Sequence, residues 1–260
     1  MELLNQFIPV ELNMLEVIGL TIFSYFTSAV TAAFGLGGGV LMLAAMATVI
    51  PAIFVIPVHG AVQLGSNGGR AWALRNHVNW TIFFYFLAGS LIGAAVASQI
   101  VIVLPQALLR LILGCFIIWI VWTPKLSKRY VDLKTFIVIG MATTFASMFV
   151  GATGLLIGAF ISPEKLGRMT TVSTHAVCAT LQHGLKIVVF GLLGFAFWQW
   201  IPLIIAMIAT GLIGTYTGKK LLEKIPEKYF GIIFKLLLTT LALRLIVLAI
   251  LDFWPFQESI

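Results

Sequence analysis

Twelve residues, His59 to Arg70 (HGAVQLGSNGGR), carry the densest set of groups in this chain that could do chemistry. They lie inside a hydrophobic segment, where a polar side chain is costly and is a functional candidate by default. At about 100° per residue, His59, Gln63, Ser66, Asn67 and Arg70 fall within roughly a quarter turn of one helical face. A second stretch, Thr174 to Lys186 (THAVCATLQHGLK), repeats the design, with His175, Gln182, His183 and Lys186 on one face. Adding 116 takes His59 to His175, Asn67 to His183, Gly68 to Gly184 and Arg70 to Lys186. Two polar faces related by one offset point to the two walls of one site.

The residue types favour binding an anion. Lys186 is followed by Ile187, Val188, Val189 and Phe190, so its charge is deep. The sequence offers no intramembrane acid to pair with it, and an anionic substrate would supply the counter-charge. Arg70 stands at the matching position. Gln63, Ser66, Asn67 and Gln182 can donate or accept hydrogen bonds. His59, His175 and His183 could bond the anion or couple its movement to protons, because imidazole titrates near neutral pH. Gly37, Gly38 and Gly39, with Gly154 in the second half, allow an unwound backbone whose free N–H groups would face the anion.

Other chemistries fit less well. No carboxylate or thiol is spaced with the histidines, so no metal site and no cofactor is expected. Ser66 and His59 share a face, but no oxyanion-site motif accompanies them, and HExxH is absent. The glycine cluster lacks the Lys-Ser/Thr ending of a nucleotide loop. An enzyme is therefore not expected, and an anion channel built from the same residues is the main alternative to a transporter.

The elements that must position these groups are membrane helices. The chain has 260 residues, 60% hydrophobic and 10% charged, with a mean hydropathy of +1.08. A soluble domain has no use for that much apolar surface. About 20 apolar residues cross a bilayer once, which leaves room for roughly eight to ten segments. Strand-like alternation is absent, which excludes a β-barrel, and lipid leaves only helices. The fold class expected is an all-α polytopic membrane protein. Its segments run near 13–33, 36–56, 58–74, 80–101, 106–122, 134–150, 151–162, 170–193, 198–218 and 229–251. Those at 36–56 and 151–162 are poor spans, one interrupted by Pro51 and Pro57 and the other short. Both read as Gly-broken or re-entrant helices.

The formal charge of +7 is gathered in short loops between apolar runs, as a topology signal and not as a nucleic-acid surface. Placing Arg70–His77, Lys125–Lys134, Lys165–Arg168 and Lys219–Lys228 in the cytoplasm puts both termini outside. Trp80, Trp119, Trp122, Trp198 and Trp200 lie near segment ends, where interfacial anchors belong. Arg110, Lys235 and Arg244 are placed to snorkel or to meet headgroups. Cys115 and Cys178 imply no disulfide. The acidic N-terminus does not resemble a cleaved signal peptide.

Gly35 and Gly38 pair with Gly151 and Gly154 at the same offset, which then drifts to 121, pairing Gly93 with Gly214 and Pro105 with Pro226. Each half thus holds five segments in one order. Five is odd, so the second half enters the membrane from the opposite side. That is the inverted repeat of many secondary transporters, with 1–125 and 126–260 as the two repeats of one membrane domain.

The Gly35-Leu-Gly-Gly-Gly39 opening, the segment interrupted by Pro51 and Pro57, the polar helix after it and the related second half resemble the sulfite exporter TauE/SafE family. That family is also called the four-toluene sulfonate uptake permease family. The resemblance covers about residues 15 to 250. It implies a multi-pass protein of the bacterial inner membrane that moves small sulfur-containing or related organic anions, such as sulfite, sulfonates or sulfoacetate. The chain departs from the family in its second half, where Gly-Ala-Thr-Gly replaces a fuller glycine cluster and the polar helix is rich in His and Lys.

Overall fold

A computed structural model describes residues 9–34, 37–100, 105–123, 132–161, 166–222 and 227–253, and these described residues form ten α-helices. In order they are α1 (Met14–Phe34), α2 (Gly38–Val49), α3 (Ala52–Ala73), α4 (Trp80–Ile100), α5 (Gln106–Trp122), α6 (Thr135–Val150), α7 (Gly154–Phe160), α8 (Arg168–Leu192), α9 (Ile201–Leu222) and α10 (Glu227–Phe253). Short 3₁₀ turns at Arg75–His77 and Phe197–Trp200 precede α4 and α9, and no strand occurs among the described residues. Gly35 and most of the basic loop from Lys125 to Lys134 lie outside the described residues.

Among the described residues, five stretches are long and apolar enough to cross a membrane: Met14–Ala32, Trp80–Ile100, Met169–Leu192, Phe197–Thr217 and Lys235–Phe253. They lie in α1, α4, α8 and α10, and across the 3₁₀ turn and α9. Large apolar side chains on these helices, among them Phe84, Leu91, Leu212, Ile213, Leu236 and Val247, are exposed. A surface of that kind belongs in lipid, and the protein is a multi-pass membrane protein. The 22-residue α3 is not among the five. Its polar face lowers its hydropathy.

Sequence signals explain several helix ends. Asn13 and Glu16 cap α1 reciprocally: the Asn13 amide donates to Glu16 Oε2 at 2.9 Å, and the Glu16 amide donates to Asn13 Oδ1 at 3.0 Å. Gly37, with φ 100°, turns the chain into α2. Gly151, with φ 82°, ends α6. A side chain would strain both positions.

Of the two prolines expected to interrupt this stretch, Pro51 makes the break and Pro57 does not. Pro51 is the N-cap of α3, where a missing N–H costs nothing, whereas Pro57 is accommodated inside that helix. The start of α3 is further held by Gln106, whose side-chain oxygen accepts from the Ala52 amide. The two Gly-led helices are short. At 1.5 Å per residue, 12-residue α2 and 7-residue α7 are about 18 and 10 Å long, well under the ~30 Å hydrocarbon core.

Four helix pairings dominate the packing: α1 on α9, α4 on α6, α5 on α10, and α3 on α8. The first two depend on glycine. A Cβ at Gly93 of α4 would collide with the Met141 carbonyl of α6, and one at Gly214 of α9 with the Tyr25 carbonyl of α1. Backbones this close are typical of membrane helix packing, where small residues permit close contact.

α2 sits at the centre, with Met42, Leu43, Ala44, Met46 and Ile50 fully buried. Trp200 corrects an expectation. It is also fully buried, 5.0 Å from the Phe54 ring, and anchors nothing at an interface. Trp80, Trp119, Trp122 and Trp198 are exposed. Arg110 is engaged with protein, since its NH1 donates to Asp252 Oδ2 at 2.6 Å.

Candidate functional site

The polar faces of α3 and α8 meet through the extensive pairing of these two helices. His59 of α3 and His175 of α8 are 0% and 4% exposed. Each ring reaches a carbonyl at the start of a Gly-led helix. His59 Nε2 lies 2.8 Å from Gly39 O in α2, and His175 Nε2 lies 2.9 Å from Gly154 O in α7. A carbonyl can only accept, so Nε2 carries the proton in both rings. The other ring nitrogen, Nδ1, is buried and without a partner in His59, His175 and His183 alike. His183 stands edge-on to His59, with ring centroids 5.8 Å apart.

The remaining α3 residues form a relay whose polarity follows from its cation. Arg70 can only donate, and its NH2 meets Asn67 Oδ1 at 2.6 Å. Asn67 therefore presents its amide nitrogen to Gln63, at 2.9 Å from the backbone oxygen and 3.1 Å from Oε1. Gln63 is left with Nε2 as a free donor. The second Arg70 arm, NH1, donates to the Thr31 carbonyl in the last turn of α1 at 3.3 Å.

The α8 wall is arranged differently. Gln182 Nε2 donates to Thr143 and Thr144 of α6 at 2.8 and 3.0 Å, while its Oε1 accepts from Thr153 at 3.0 Å. Lys186 Nζ donates to the Gly151 carbonyl at 2.6 Å and is fully buried. Its side chain passes Gly60, where a Cβ would lie 2.8 Å from Lys186 Cδ. Both cations thus reach carbonyls at helix C-terminal ends, Arg70 on α1 and Lys186 on α6, where the helix dipole is negative. Neither meets a carboxylate, because the ion pair found among the described residues is Arg110–Asp252.

A cavity of about 30 Å³ lies between these walls. Of the residues singled out from sequence, Gly37, Gly39, His59, Gln63, Asn67, Gly154, His175 and His183 line it. Gly38, Ser66, Arg70, Gln182 and Lys186 do not. Gly38 is pressed on α1, where a Cβ would strike the Thr27 carbonyl. Ser66 Oγ is 3.5 Å from Ser28 Oγ.

Thr31, Val40, Ala152, Leu155 and Ala179 also line the cavity and were not anticipated. Two of these could have been. The 116 offset takes Gly39 to Leu155 and Gln63 to Ala179. No carboxylate is among the lining residues. Gln63 leaves a free donor on the lining, three lining histidines each keep a buried Nδ1 without a partner, and Arg70 and Lys186 have no carboxylate partner among the described residues. Such a pocket suits a small oxygen-rich anion in a low-dielectric setting.

No curated protein and no solved structure matches the chain significantly. The family model for sulfite exporter TauE/SafE matches residues 20–245, from within α1 to within α10 and across both polar faces. Membrane helices, Gly-led half-helices and a polar cavity between α3 and α8 thus accompany a match over most of the chain, which belongs to the sulfite exporter TauE/SafE family.

Proposed function

We propose that the protein is a secondary transporter that exports small sulfur-containing anions such as sulfite, sulfonates or sulfoacetate. Transport proceeds by alternating access at the cavity between α3 and α8, where the two inverted repeats, 1–125 and 126–260, meet. The observation that carries this reading is a buried polar cavity backed by Arg70 and Lys186, neither of which has a carboxylate partner among the described residues. Two unpaired positive charges in a low-dielectric interior favour an anion beside them.

The inverted repeat is supported by the pairing pattern. Exchanging each helix with the one five places later turns α1–α9 into α6–α4 and returns α3–α8 and α5–α10 to themselves. The close approaches exchange too, since Gly93 against Met141 maps to Gly214 against Tyr25 at offsets of 121 and 116. A two-fold arrangement of this kind lets one half rock against the other around a central site.

Gly37, Gly39, Gln63, Asn67, His59, His175, His183 and Gly154 are the groups in contact with the anion. Gly38, Ser66, Arg70, Gln182 and Lys186 hold those groups in place, and the two cations act on the anion through space. The amides at the start of α2 add a favourable dipole.

A thermal-shift screen of small sulfur oxyanions, sulfonates and carboxylates on the purified protein tests the substrate class. A bound anion stabilises the protein by about 2.7 kcal/mol at a hundred times its Kd. A shift with sulfur oxyanions or sulfonates is expected. A shift with carboxylates alone would contradict the assignment.

A further inference from the structure

Gly39 and Gly154 do more than leave space for an anion: their carbonyls bind Nε2 of His59 and His175, so Nδ1 is the ring nitrogen left without a partner in two residues that line the cavity. With Nε2–H committed to a carbonyl, the neutral rings of His59 and His175 have only a lone pair at Nδ1. Both Nδ1 atoms are buried and unpartnered. A fully ionised oxyanion also has only lone pairs, so it would meet these nitrogens acceptor to acceptor. Gln63 Nε2 is the free side-chain donor of the α3 residues that line the cavity, Arg70 Nε is unpartnered outside that lining, and the Thr31 hydroxyl of the lining donates to the Thr27 carbonyl.

A proton resolves the mismatch. Between Nδ1 and an anion oxygen it makes one charge-assisted hydrogen bond where there was repulsion. We propose that the cavity takes a small oxyanion together with one proton, held between an oxygen of the anion and Nδ1 of His59 or His175. This deepens the transport reading and rests on it. The balance is simple: one anion and one H⁺ enter, the proton either as the anion's own hydroxyl or from the medium, which keeps the matching hydroxide, and no bond to sulfur changes.

The surrounding charges favour the pair over either ion alone. His183 of α8 stands edge-on to His59, and the charges acting on the two rings are Lys186 at His59 and Arg70 at His175. α2 and α7 add no titratable group to the lining. A lone proton entering beside two buried cations is repelled. A dianion entering alone must shed far more hydration than a monoanion. The cavity size fits a compact ligand: about 30 Å³, where one water needs roughly 10–15 Å³. The ligand class is thus a compact oxyanion bearing, or able to accept, one acidic hydrogen.

The test is binding of sulfite to the purified full-length protein by calorimetry, across the alkaline range where free sulfite is the dianion. The expected result is an apparent Kd that rises about tenfold per pH unit, the slope of one linked proton. Repeating the titration in buffers of different ionisation enthalpy counts the same proton independently. In the double variant His59→Gln, His175→Gln, each Gln Nε2–H can keep the bond to Gly39 or Gly154 while no Nδ1 remains. There the slope should fall towards zero, with an unchanged elution profile showing a folded protein. Sulfite binding with no pH slope in the wild-type protein overturns the proposal and leaves the transport reading standing. No binding of sulfite, thiosulfate or methanesulfonate at any pH removes the anion site itself and the proposal with it.

Discussion

Lys186 Nζ donates to the Gly151 carbonyl at 2.6 Å, so this fully buried cation is tied to the end of α6 and does not line the cavity. A hydrogen bond from a charged group to a helix-terminal carbonyl is worth about 1.5–3 kcal/mol. Lys186→Ala should lower stability by about 2 kcal/mol, read as a fall in thermal midpoint in detergent. It should also weaken anion binding, because one of two positive charges is gone. A variant with wild-type stability would show that the Gly151 contact is not what holds Lys186.

Gly93 and Gly214, which the proposed two-fold arrangement makes equivalent, each lie against a carbonyl of the partner helix. Gly93→Ala and Gly214→Ala should each cost about 1–3 kcal/mol through forced separation of packed helices. Gly19, where a Cβ would meet no atom within 4 Å, is the control at which alanine should be harmless. Unequal losses at the paired sites, with one neutral, would argue against the two-fold arrangement. Differential scanning fluorimetry on the three variants measures this.

Gly39 and Gly154 line the cavity, and a Cβ at either would lie 3.3 Å from its nearest neighbour, Gln63 Oε1 and His175 Nε2 respectively. Those neighbours can yield by a few tenths of an ångström, so folding should survive. The methyl group takes up space in a cavity of about 30 Å³. Gly39→Ala and Gly154→Ala should therefore reduce anion affinity at least tenfold, about 1.4 kcal/mol, with little change in thermal midpoint. Affinity titration beside a melting curve separates the two effects.

The basic loops predict that both termini lie outside. With Cys115 and Cys178 replaced, a cysteine at Glu2 or Ser259 should react with an impermeant maleimide on intact cells. A cysteine at Arg129 should react only after permeabilisation. The reverse pattern would invert the topology.

Much of this arrangement was legible in the residue order. A 3.6-residue period places His59, Gln63, Asn67 and Arg70 on one face, and a constant offset carries that face to α8. Its pairing with α3 then follows from burying polar groups together. Hydropathy and length also sufficed for an all-helical membrane protein. What stayed hidden was decided by backbone groups, which have no residue-type signal. The carbonyls of Thr31 and Gly151 capture Arg70 and Lys186, yet a helical wheel reports a direction and not a partner. Val40, Leu155 and Ala179 line the cavity as ordinary apolar residues, distinguished only by position. That Pro51 breaks the chain while Pro57 is accommodated was also hidden, as was the bond from the Ala52 amide to Gln106, a residue 54 positions away. Trp200 is buried because Phe54 covers it, which its place near a segment end did not reveal.

Carriage of a sulfur-containing anion through the α3–α8 cavity by alternating access can be measured as sulfite flux in proteoliposomes, comparing the wild-type protein with Gly154→Ala. Alternating access predicts saturable flux that accelerates with sulfite on the opposite side and falls sharply in the variant. Non-saturable flux that passes current without counter-transport acceleration, or flux unchanged by Gly154→Ala, would contradict it.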